Sequence, residues 1–269
     1  MKIRVALIGN PNVGKSVIFN NLTGSKQHTG NWPGKTVEMK EGYYTFENNE
    51  FEVIDLPGVY SLSAMSEDEE VARQYLIDDR PDVVVDILNA SQLERNLYLT
   101  LLLIELQVNL VVVLNMYDVV EKRGDRINTD MLSKKLRAPV VKTAATKKEG
   151  MEELKKKILE SVPTTLLNDK PNQPKEHLPG DINGGDHLHY HPKHHHHGEY
   201  ERLRPPAIKY NSKIELCLKK IVQLIKNEKD IYDRFPPRWL ALRLFEKDES
   251  ILELVKNPEV KREILEVSL

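Results

Sequence analysis

The stretch that decides the fold is Gly9-Asn10-Pro11-Asn12-Val13-Gly14-Lys15-Ser16. It matches the phosphate-loop pattern Gly-x-x-x-x-Gly-Lys-Ser/Thr, and it lies between an apolar strand candidate, residues 3–8, and a helix candidate, residues 17–22. Glycines in such a loop let backbone N–H groups turn towards phosphate oxygens, and the following helix adds the positive end of its dipole. Lys15 would bring a charge to the outer phosphates, and the Ser16 hydroxyl would bind Mg²⁺. The stretch therefore predicts a site for nucleotide phosphates.

Residues 3–162 alternate short apolar runs with amphipathic stretches, and the further strand candidates are residues 51–54, 83–88, 110–114 and 139–141. Continuous runs of β-branched residues indicate strands that are buried on both faces, as in a parallel sheet covered by helices. We therefore predict an α/β fold of the P-loop type over residues 1–162, with a doubly wound, mostly parallel sheet flanked by helices. A Pro/Gly/His-rich linker or insertion, residues 163–206, and a small all-α domain, residues 207–269, would follow.

The overall composition excludes several classes of protein. Lys and Arg number 39 and Asp and Glu 41, which argues against nucleic acid as a partner because proteins that bind it are usually basic. A single cysteine, Cys217, excludes an intramolecular disulfide framework. The most apolar stretch, residues 97–116, is interrupted by polar side chains and favours a buried helix and strand over a membrane span. With no signal peptide at the N-terminus, we expect this fragment to be soluble and cytosolic.

Three more loops follow strand candidates in the order expected of a GTP-binding fold. Asp55 could hold Mg²⁺ through water, and Gly58 leaves a backbone N–H for a γ-phosphate. Asp118 can accept two hydrogen bonds from guanine and would decide the identity of the base, while Asn115 would tie its loop to the phosphate loop. The three loops are Asp55-Leu56-Pro57-Gly58, Asn115-Met116-Tyr117-Asp118 and Thr143-Ala144-Ala145.

Two of these loops depart from the common pattern of G proteins. Met116 stands where a lysine is common, but a methionine can still cover the face of a base. Thr143-Ala144-Ala145 stands where a Ser-Ala pair is usual, and a backbone N–H there can contact the base without the serine. We therefore still expect both loops to bind guanine.

Two further segments, residues 30–38 and 89–99, resemble the cytosolic G-protein domain of FeoB-type prokaryotic ferrous iron transporters, as do residues 9–16 and 55–62. The resemblance covers residues 3–162, and residues 207–265 are similar to the regulatory helical domain of that family. It implies that GTP binding and hydrolysis regulate Fe²⁺ uptake at the cytoplasmic face of the cell membrane. The partners implied are a membrane-spanning permease part of the same protein and small cytosolic iron-transport accessory proteins, with a homo-oligomer as a further candidate.

The resemblance also assigns roles to matching positions. Residues 25–38 would be switch I and residues 56–66 switch II, with Thr36 completing Mg²⁺ coordination when a γ-phosphate is present. Asn12 matches the asparagine that helps to hold K⁺ in potassium-activated relatives. The nucleotide contacts of switch I would be Gly34-Lys35-Thr36-Val37-Glu38, although Lys35 stands where the family often has an aliphatic residue. The residues expected to act in hydrolysis are Lys15, Thr36, Gly58 and Asn12.

The residues around these loops predict slow GTP hydrolysis. Val59 stands where many GTPases place a glutamine, and it cannot orient a water molecule. No arginine occurs between Ser25 and Glu38, so switch I lacks an arginine finger. Any acceleration would come from K⁺ near Asn12 and from backbone groups of an ordered switch I. The cofactors expected are thus GTP or GDP, Mg²⁺ and K⁺.

Several alternatives remain open from the sequence. One is a soluble GTPase that assembles ribosomes or tRNA, although residues 207–269 carry 13 basic and 11 acidic side chains, too weak a positive charge for an RNA-binding appendage. Another is a nucleotide-sensing module with negligible hydrolysis, which Val59 favours. The His-rich segment, residues 177–197, is either a metal site or a solvated linker. Trp32 is either a mobile lid or an anchor to the helical domain.

Overall fold

The computed structural model describes residues 2–63, 65–163 and 208–267. The predicted His-rich segment, residues 177–197, and all of the predicted linker after Pro163 lie outside the described residues. The described part contains a seven-stranded sheet in the order β2-β3-β4-β1-β5-β6-β7. Its strands are β1 (Lys2–Gly9), β2 (Gln27–Asn31), β3 (Glu38–Phe46), β4 (Asn49–Asp55), β5 (Val83–Asn89), β6 (Leu110–Asn115) and β7 (Val140–Lys142).

The five strands from β4 to β7 in this order are parallel, which confirms the predicted mostly parallel sheet. Their Val, Ile and Leu side chains are buried on both faces because helices cover both sides. The covering helices are α1 (Lys15–Thr23), α2 (Glu67–Gln74), α3 (Leu93–Glu105), α4 (Tyr117–Lys122), α5 (Thr129–Leu136) and α6 (Met151–Glu160). Helices α1 and α6 pack on one face, and α2 to α5 pack on the other.

Strands β2 and β3 are two elements that the apolar pattern of the sequence does not predict. They pair antiparallel to each other, and β3 pairs antiparallel to β4. The side chains of β2 are almost all exposed, because it is the edge strand, so no buried face marks it in the sequence. Most of the predicted switch I, residues 25–38, is therefore one strand of a hairpin and the turn that follows it.

The C-terminal described residues, 208–267, form the predicted small helical unit. Its helices are α7 (Ser212–Ile225), α8 (Lys229–Tyr232), α9 (Pro237–Phe245), α10 (Glu249–Leu252) and α11 (Pro258–Val267). Ile221 and Ile225 of α7 and Trp239 and Leu240 of α9 are fully buried in its core. Asn211 begins α7 by accepting a hydrogen bond from the Ile214 N–H at 3.0 Å, a typical N-terminal cap.

This helical unit is fastened to α2 and to the turn that follows it. Arg73 of α2 lies 3.5 Å from the Asp248 carboxylate and donates to the Ser250 hydroxyl at 3.0 Å. Arg234 makes a two-pronged ion pair with Asp78, at 2.9 and 2.7 Å. The helical unit therefore holds the element that directly follows switch II. Among the described residues, the helices are all too short or too polar to span a lipid bilayer.

Candidate nucleotide site

The phosphate loop runs from the end of β1 to the start of α1 along a path that requires glycine. Gly14 precedes α1 with a φ of 87°, and a Cβ atom there would lie 2.3 Å from Nδ2 of Asn115. A Cβ atom on Gly9 would lie 2.4 Å from the Ile87 carbonyl oxygen of the neighbouring strand β5. The loop therefore packs closely against β5 and β6, and glycine at these two positions avoids a steric clash.

A cleft of about 240 Å³ opens beside this loop at the carboxyl ends of the parallel strands. The predicted site residues that line it are Lys15, Ser16, Val37, Glu38, Asp55, Leu56, Pro57 and Gly58. Lys15 forms an ion pair with Asp55. Burial raises the pKa of the Asp55 carboxyl, and the charge of Lys15 opposes that rise. The first two predicted loops therefore meet in one cleft.

The residues of this cleft fit a nucleotide phosphate with Mg²⁺. Mg²⁺ prefers oxygen ligands, and the hydroxyl of Ser16 and the carboxylate of Asp55 line the same cleft. Lys15 lines the same cleft, and its ion pair with Asp55 would have to break for its ammonium to bind phosphate oxygens. Two further charged residues, Lys40 and Asp68, also line the cleft and were not predicted. Lys40 lies opposite Asp55 in the pairing of β3 with β4, so only the register of β3 could have revealed it.

The third and fourth loops are joined by Asn115, the last residue of β6. Its Nδ2 donates to the carbonyl oxygen of Val13 in the phosphate loop at 2.8 Å. Its Oδ1 accepts from the Thr143 hydroxyl at 3.0 Å and from the Ala145 N–H at 3.1 Å. The predicted tie between this loop and the phosphate loop is confirmed, and the same side chain also holds the Thr143-Ala144-Ala145 loop.

Asp118 lies in the first turn of α4, just beyond this junction. Met116 precedes the helix with a φ of 58°, which turns the chain sharply between β6 and α4. The Lys147 ammonium lies 3.0 Å from the Asp118 carboxylate, and its hydrogen bond holds the pKa of that carboxyl below its usual range. An aspartate carboxyl is already ionised at neutral pH, and this contact favours the ionised form further, so Asp118 can accept hydrogen bonds from a guanine. Lys147 was not predicted, because only the fold brings it to Asp118.

Thr36, the predicted switch I ligand of Mg²⁺, does not line the cleft. Its hydroxyl donates to Glu67 Oε2 at 2.8 Å and its N–H donates to Glu67 Oε1 at 3.2 Å, both at the start of α2. Lys35 forms an ion pair with Glu70 at 3.0 Å. The metal role of Thr36 and the nucleotide roles of Gly34 and Lys35 therefore remain predictions that need a different arrangement of switch I.

The remaining predicted residues are placed as follows. Asn12 is exposed in the phosphate loop with a φ of 65°, so its role towards K⁺ remains a prediction. Val59 is 2% exposed, and its N–H donates to the Gly9 carbonyl oxygen at 3.1 Å.

Trp32 is 7% exposed and packs edge to face on Tyr75, with the ring centres 5.4 Å apart. This contact places Trp32 on the α/β unit, whereas the anchor considered from the sequence was to the helical domain.

The sheet, the phosphate loop and the three following loops define a protein of the P-loop GTPase fold. Two family models match the chain: "Ferrous iron transport protein B" over residues 3–158 and "FeoB cytosolic helical domain" over residues 210–268. The chain therefore belongs to the ferrous iron transport protein B family. This confirms the resemblance inferred from the sequence.

Two of the curated relatives match nearly the whole chain. The Fe(2+) transporter FeoB of Methanocaldococcus jannaschii is 41% identical over 97% of this chain and 33% of its own length. A fusion protein of Fe(2+) transport protein A and the Fe(2+) transporter FeoB from Porphyromonas gingivalis is 37% identical over 94% of this chain and 26% of its own length. The chain thus spans about a quarter to a third of these relatives.

Solved structures agree with this assignment. A GDP-bound mutant of S. thermophilus NFeoB is 32% identical, with a TM-score of 0.77 and coverage of 98% of this chain and 88% of its own. The apo cytosolic domain of the T. maritima FeoB iron transporter is 30% identical, with a TM-score of 0.75 and coverage of 100% and 98%. The likeness to the second structure includes both the α/β unit and the helical unit.

Proposed function

We propose that this chain binds GTP and GDP with Mg²⁺, hydrolyses GTP slowly, and is the nucleotide-operated part of a ferrous iron transporter at the cytoplasmic face of the membrane. The observation that carries the proposal is the Asn115 junction, which ties the phosphate loop to both base loops at one edge of the sheet. Membership of the ferrous iron transport protein B family and the GDP in the S. thermophilus structure support it.

The residues of the chain divide the work of binding between the two ends of the nucleotide. Lys15 would neutralise the outer phosphates, while the N–H groups of the loop from Gly9 to Ser16 hold the inner ones. The ionised Asp118 would accept hydrogen bonds from N1–H and the exocyclic amine of guanine. Adenine presents an acceptor at N1, so Asp118 would leave it unpaired and reject it.

Hydrolysis would depend on few side chains. Mg²⁺, held by Ser16 and Asp55, would neutralise charge that develops between the outer phosphates. The Gly58 N–H would contact the γ-phosphate, and the buried Val59 offers no group to position water. Slow turnover would follow from this arrangement. Val59 stands in place of the glutamine that positions water in many GTPases, and the predicted switches contain no arginine.

A competition assay tests nucleotide recognition. A fluorescent GDP analogue bound to the purified chain should be displaced by GTP and not by ATP. The variant Asp118→Asn should lose at least about a hundredfold in GTP affinity and gain affinity for xanthosine triphosphate, because an amide matches the reversed donor pattern of xanthine. Equal displacement by GTP and ATP, with Asp118→Asn behaving as the wild type, would sink the proposal.

The role of K⁺ needs its own measurement. Turnover of GTP should be faster in KCl than in NaCl for the wild type, and Asn12→Ala should abolish that difference. Equal rates of both proteins in both salts would remove K⁺ and Asn12 from the mechanism. The result leaves the assignment of GTP binding untouched, since the two assays read different steps.

A second candidate function is a nucleotide sensor with negligible hydrolysis. The burial of Val59 and the attachment of Thr36 to Glu67 favour it, because neither residue is placed to assist the attack of water. Single-turnover hydrolysis under excess protein separates the two. A release of phosphate no faster than the uncatalysed reaction would favour the sensor.

Coupling to transport would run through α2. Arg73 and Asp78 connect the elements after switch II to the helical unit, so a change in switch II can reach that unit. The partners proposed are a permease part of the same protein and small cytosolic accessory proteins, with self-association as a further candidate. In the complete transporter in liposomes, Asp118→Asn should uncouple Fe²⁺ uptake from GTP, and uptake that stays GTP-dependent would contradict the coupling.

A further inference from the structure

The tip of switch I, residues 32–37, is folded against the first turn of α2. Thr36 uses both its hydroxyl and its N–H on the carboxylate of Glu67, at 2.8 and 3.2 Å. The neighbouring Lys35 pairs with Glu70 at 3.0 Å. We call Glu67 and Glu70, with these contacts, the α2 clasp.

The sequence of α2 explains why the clasp engages two successive residues of switch I. Residues three apart on a helix lie on the same face, so the carboxylates of Glu67 and Glu70 are neighbours. The hydrogen bonds from Thr36 hold the pKa of Glu67 below its usual range, which keeps it ionised and accepting. Ser66 caps the helix by accepting from the Glu69 N–H at 3.2 Å, which fixes the turn that carries Glu67.

The clasp and the predicted nucleotide contact compete for one side chain. Val37 and Glu38 line the phosphate cleft together with Ser16 and Asp55, whereas Thr36 is bonded to α2. With its hydroxyl and its N–H both on Glu67, Thr36 does not line the cleft, so its hydroxyl oxygen is not placed to bind Mg²⁺ there. To serve the cleft, Thr36 must leave Glu67.

We propose that Glu67, supported by Glu70, is a specificity-determining residue that lowers the affinity for GTP relative to GDP by competing for Thr36. The proposal rests on the proposed function and on the role that the family resemblance gives Thr36, which is to complete Mg²⁺ coordination only when a third phosphate is present. GTP must displace the Glu67 carboxylate to recruit Thr36, and GDP need not. A ligand shifts such an equilibrium only by its difference in affinity for the two arrangements, so the cost falls on GTP alone.

The size of the effect follows from exposure. Thr36 and Glu67 are both exposed, and exchange with water keeps such contacts weak. We therefore expect Glu67→Ala to raise the affinity for a non-hydrolysable GTP analogue, relative to GDP, by about three- to tenfold. Glu70→Ala should act in the same direction by less than about threefold, because Lys35 has no predicted metal role.

The experiment compares equilibrium affinities of the wild type, Glu67→Ala, Glu67→Gln, Glu70→Ala and the matched control Glu153→Ala, an exposed glutamate of α6. Each is titrated with GDP and with the non-hydrolysable analogue in the presence of Mg²⁺. For the clasp variants we expect a higher affinity for the analogue relative to GDP, with the affinity for GDP itself within about twofold of the wild type. Both affinities of the control should lie within about twofold of the wild type.

Trp32 supplies a second readout of the same event. It is buried on Tyr75 next to the clasp, while Trp239 in the helical unit is fully buried and serves as a constant background. The analogue should shift the Trp32 emission to longer wavelength, at lower concentration in Glu67→Ala than in the wild type, and GDP should not. If Glu67→Ala binds GDP but its affinity for the analogue relative to GDP is the same as in the wild type or lower, the clasp is overturned. If the wild type binds neither nucleotide, the proposed function is overturned instead.

Discussion

The base side and the switch side of the site both join segments that are far apart in the sequence, but they do so with contacts of different burial. On the base side, Asn115 is 3% exposed and makes three hydrogen bonds within the interior. On the switch side, Thr36 and Glu67 meet at the surface. A buried hydrogen bond cannot be replaced by water when it breaks, whereas an exposed one can. The contacts on the base side are therefore expected to persist, whereas the contacts on the switch side can exchange partners.

The largest expected effect comes from breaking the base side. Asn115→Ala removes three hydrogen bonds and leaves the Val13 carbonyl and the Ala145 N–H without this partner. We expect a loss of roughly 2–4 kcal/mol in the free energy of unfolding and a fall in nucleotide affinity of at least about a hundredfold.

Urea unfolding and calorimetric titration measure the two quantities. Asn49→Ala is the matched control, because Asn49 bonds to the Glu47 carbonyl in an exposed turn and should cost less than about 0.5 kcal/mol. Similar losses for the two variants would show that burial does not distinguish them.

The buried Asp86 tests how far burial of a charged side chain in this sheet lowers the stability of the fold. It lies in β5, 1% exposed, and accepts a hydrogen bond from Thr100 at 2.6 Å. Burial raises the pKa of Asp86 to about 7, so the folded protein binds a proton that the unfolded chain has released above about pH 4. Its ionisation therefore makes the fold less stable as pH rises from about 4 to about 7, with no further change above that window.

Asp86→Asn should remove this dependence. Relative to the wild type, the variant should gain stability progressively between pH 4.5 and pH 7.5, by roughly 1–4 kcal/mol in total. Urea unfolding at several pH values measures the difference. A difference that is constant over this range would mean that Asp86 does not titrate on folding.

The smallest expected effect concerns an exposed contact on the base side. Lys147 pairs with Asp118 at 3.0 Å while itself remaining largely exposed. Asp118 ionises without this partner at neutral pH, so Lys147→Met should change GDP affinity by less than about threefold. Competition titrations against Lys148→Met, its exposed neighbour, measure the effect. A loss of tenfold or more would show that the base side also relies on an exchangeable contact.

The four loops and the strands that carry them could be predicted because each is marked locally. A buried strand shows as a run of β-branched residues, and the loop from Gly9 to Ser16 shows as a spacing of glycines, lysine and serine. Strands β2 and β3 could not be predicted in this way, because β2 is the exposed edge strand and only Gly42 and Tyr44 of the neighbouring β3 are buried. The roles given to Thr36 and Asn12 came from the family resemblance and stay predictions.

Charged neighbours of the site escaped prediction for a related reason. Lys40, Asp68 and Lys147 have no local signal, because each gains its place only when separate elements meet. The register of β3 with β4 puts Lys40 opposite Asp55, and the turn before α6 puts Lys147 beside Asp118.

The sequence by itself determined that this protein has a phosphate loop on a parallel sheet and two loops suited to guanine, because such features depend on residues close together in the chain. Only the tertiary structure decided which side chain each of those residues meets: Asn115 with Val13, Lys15 with Asp55, Thr36 with Glu67. Partners of this kind are separated by tens of residues, and their contact depends on the packing and register of whole elements, which no local pattern encodes.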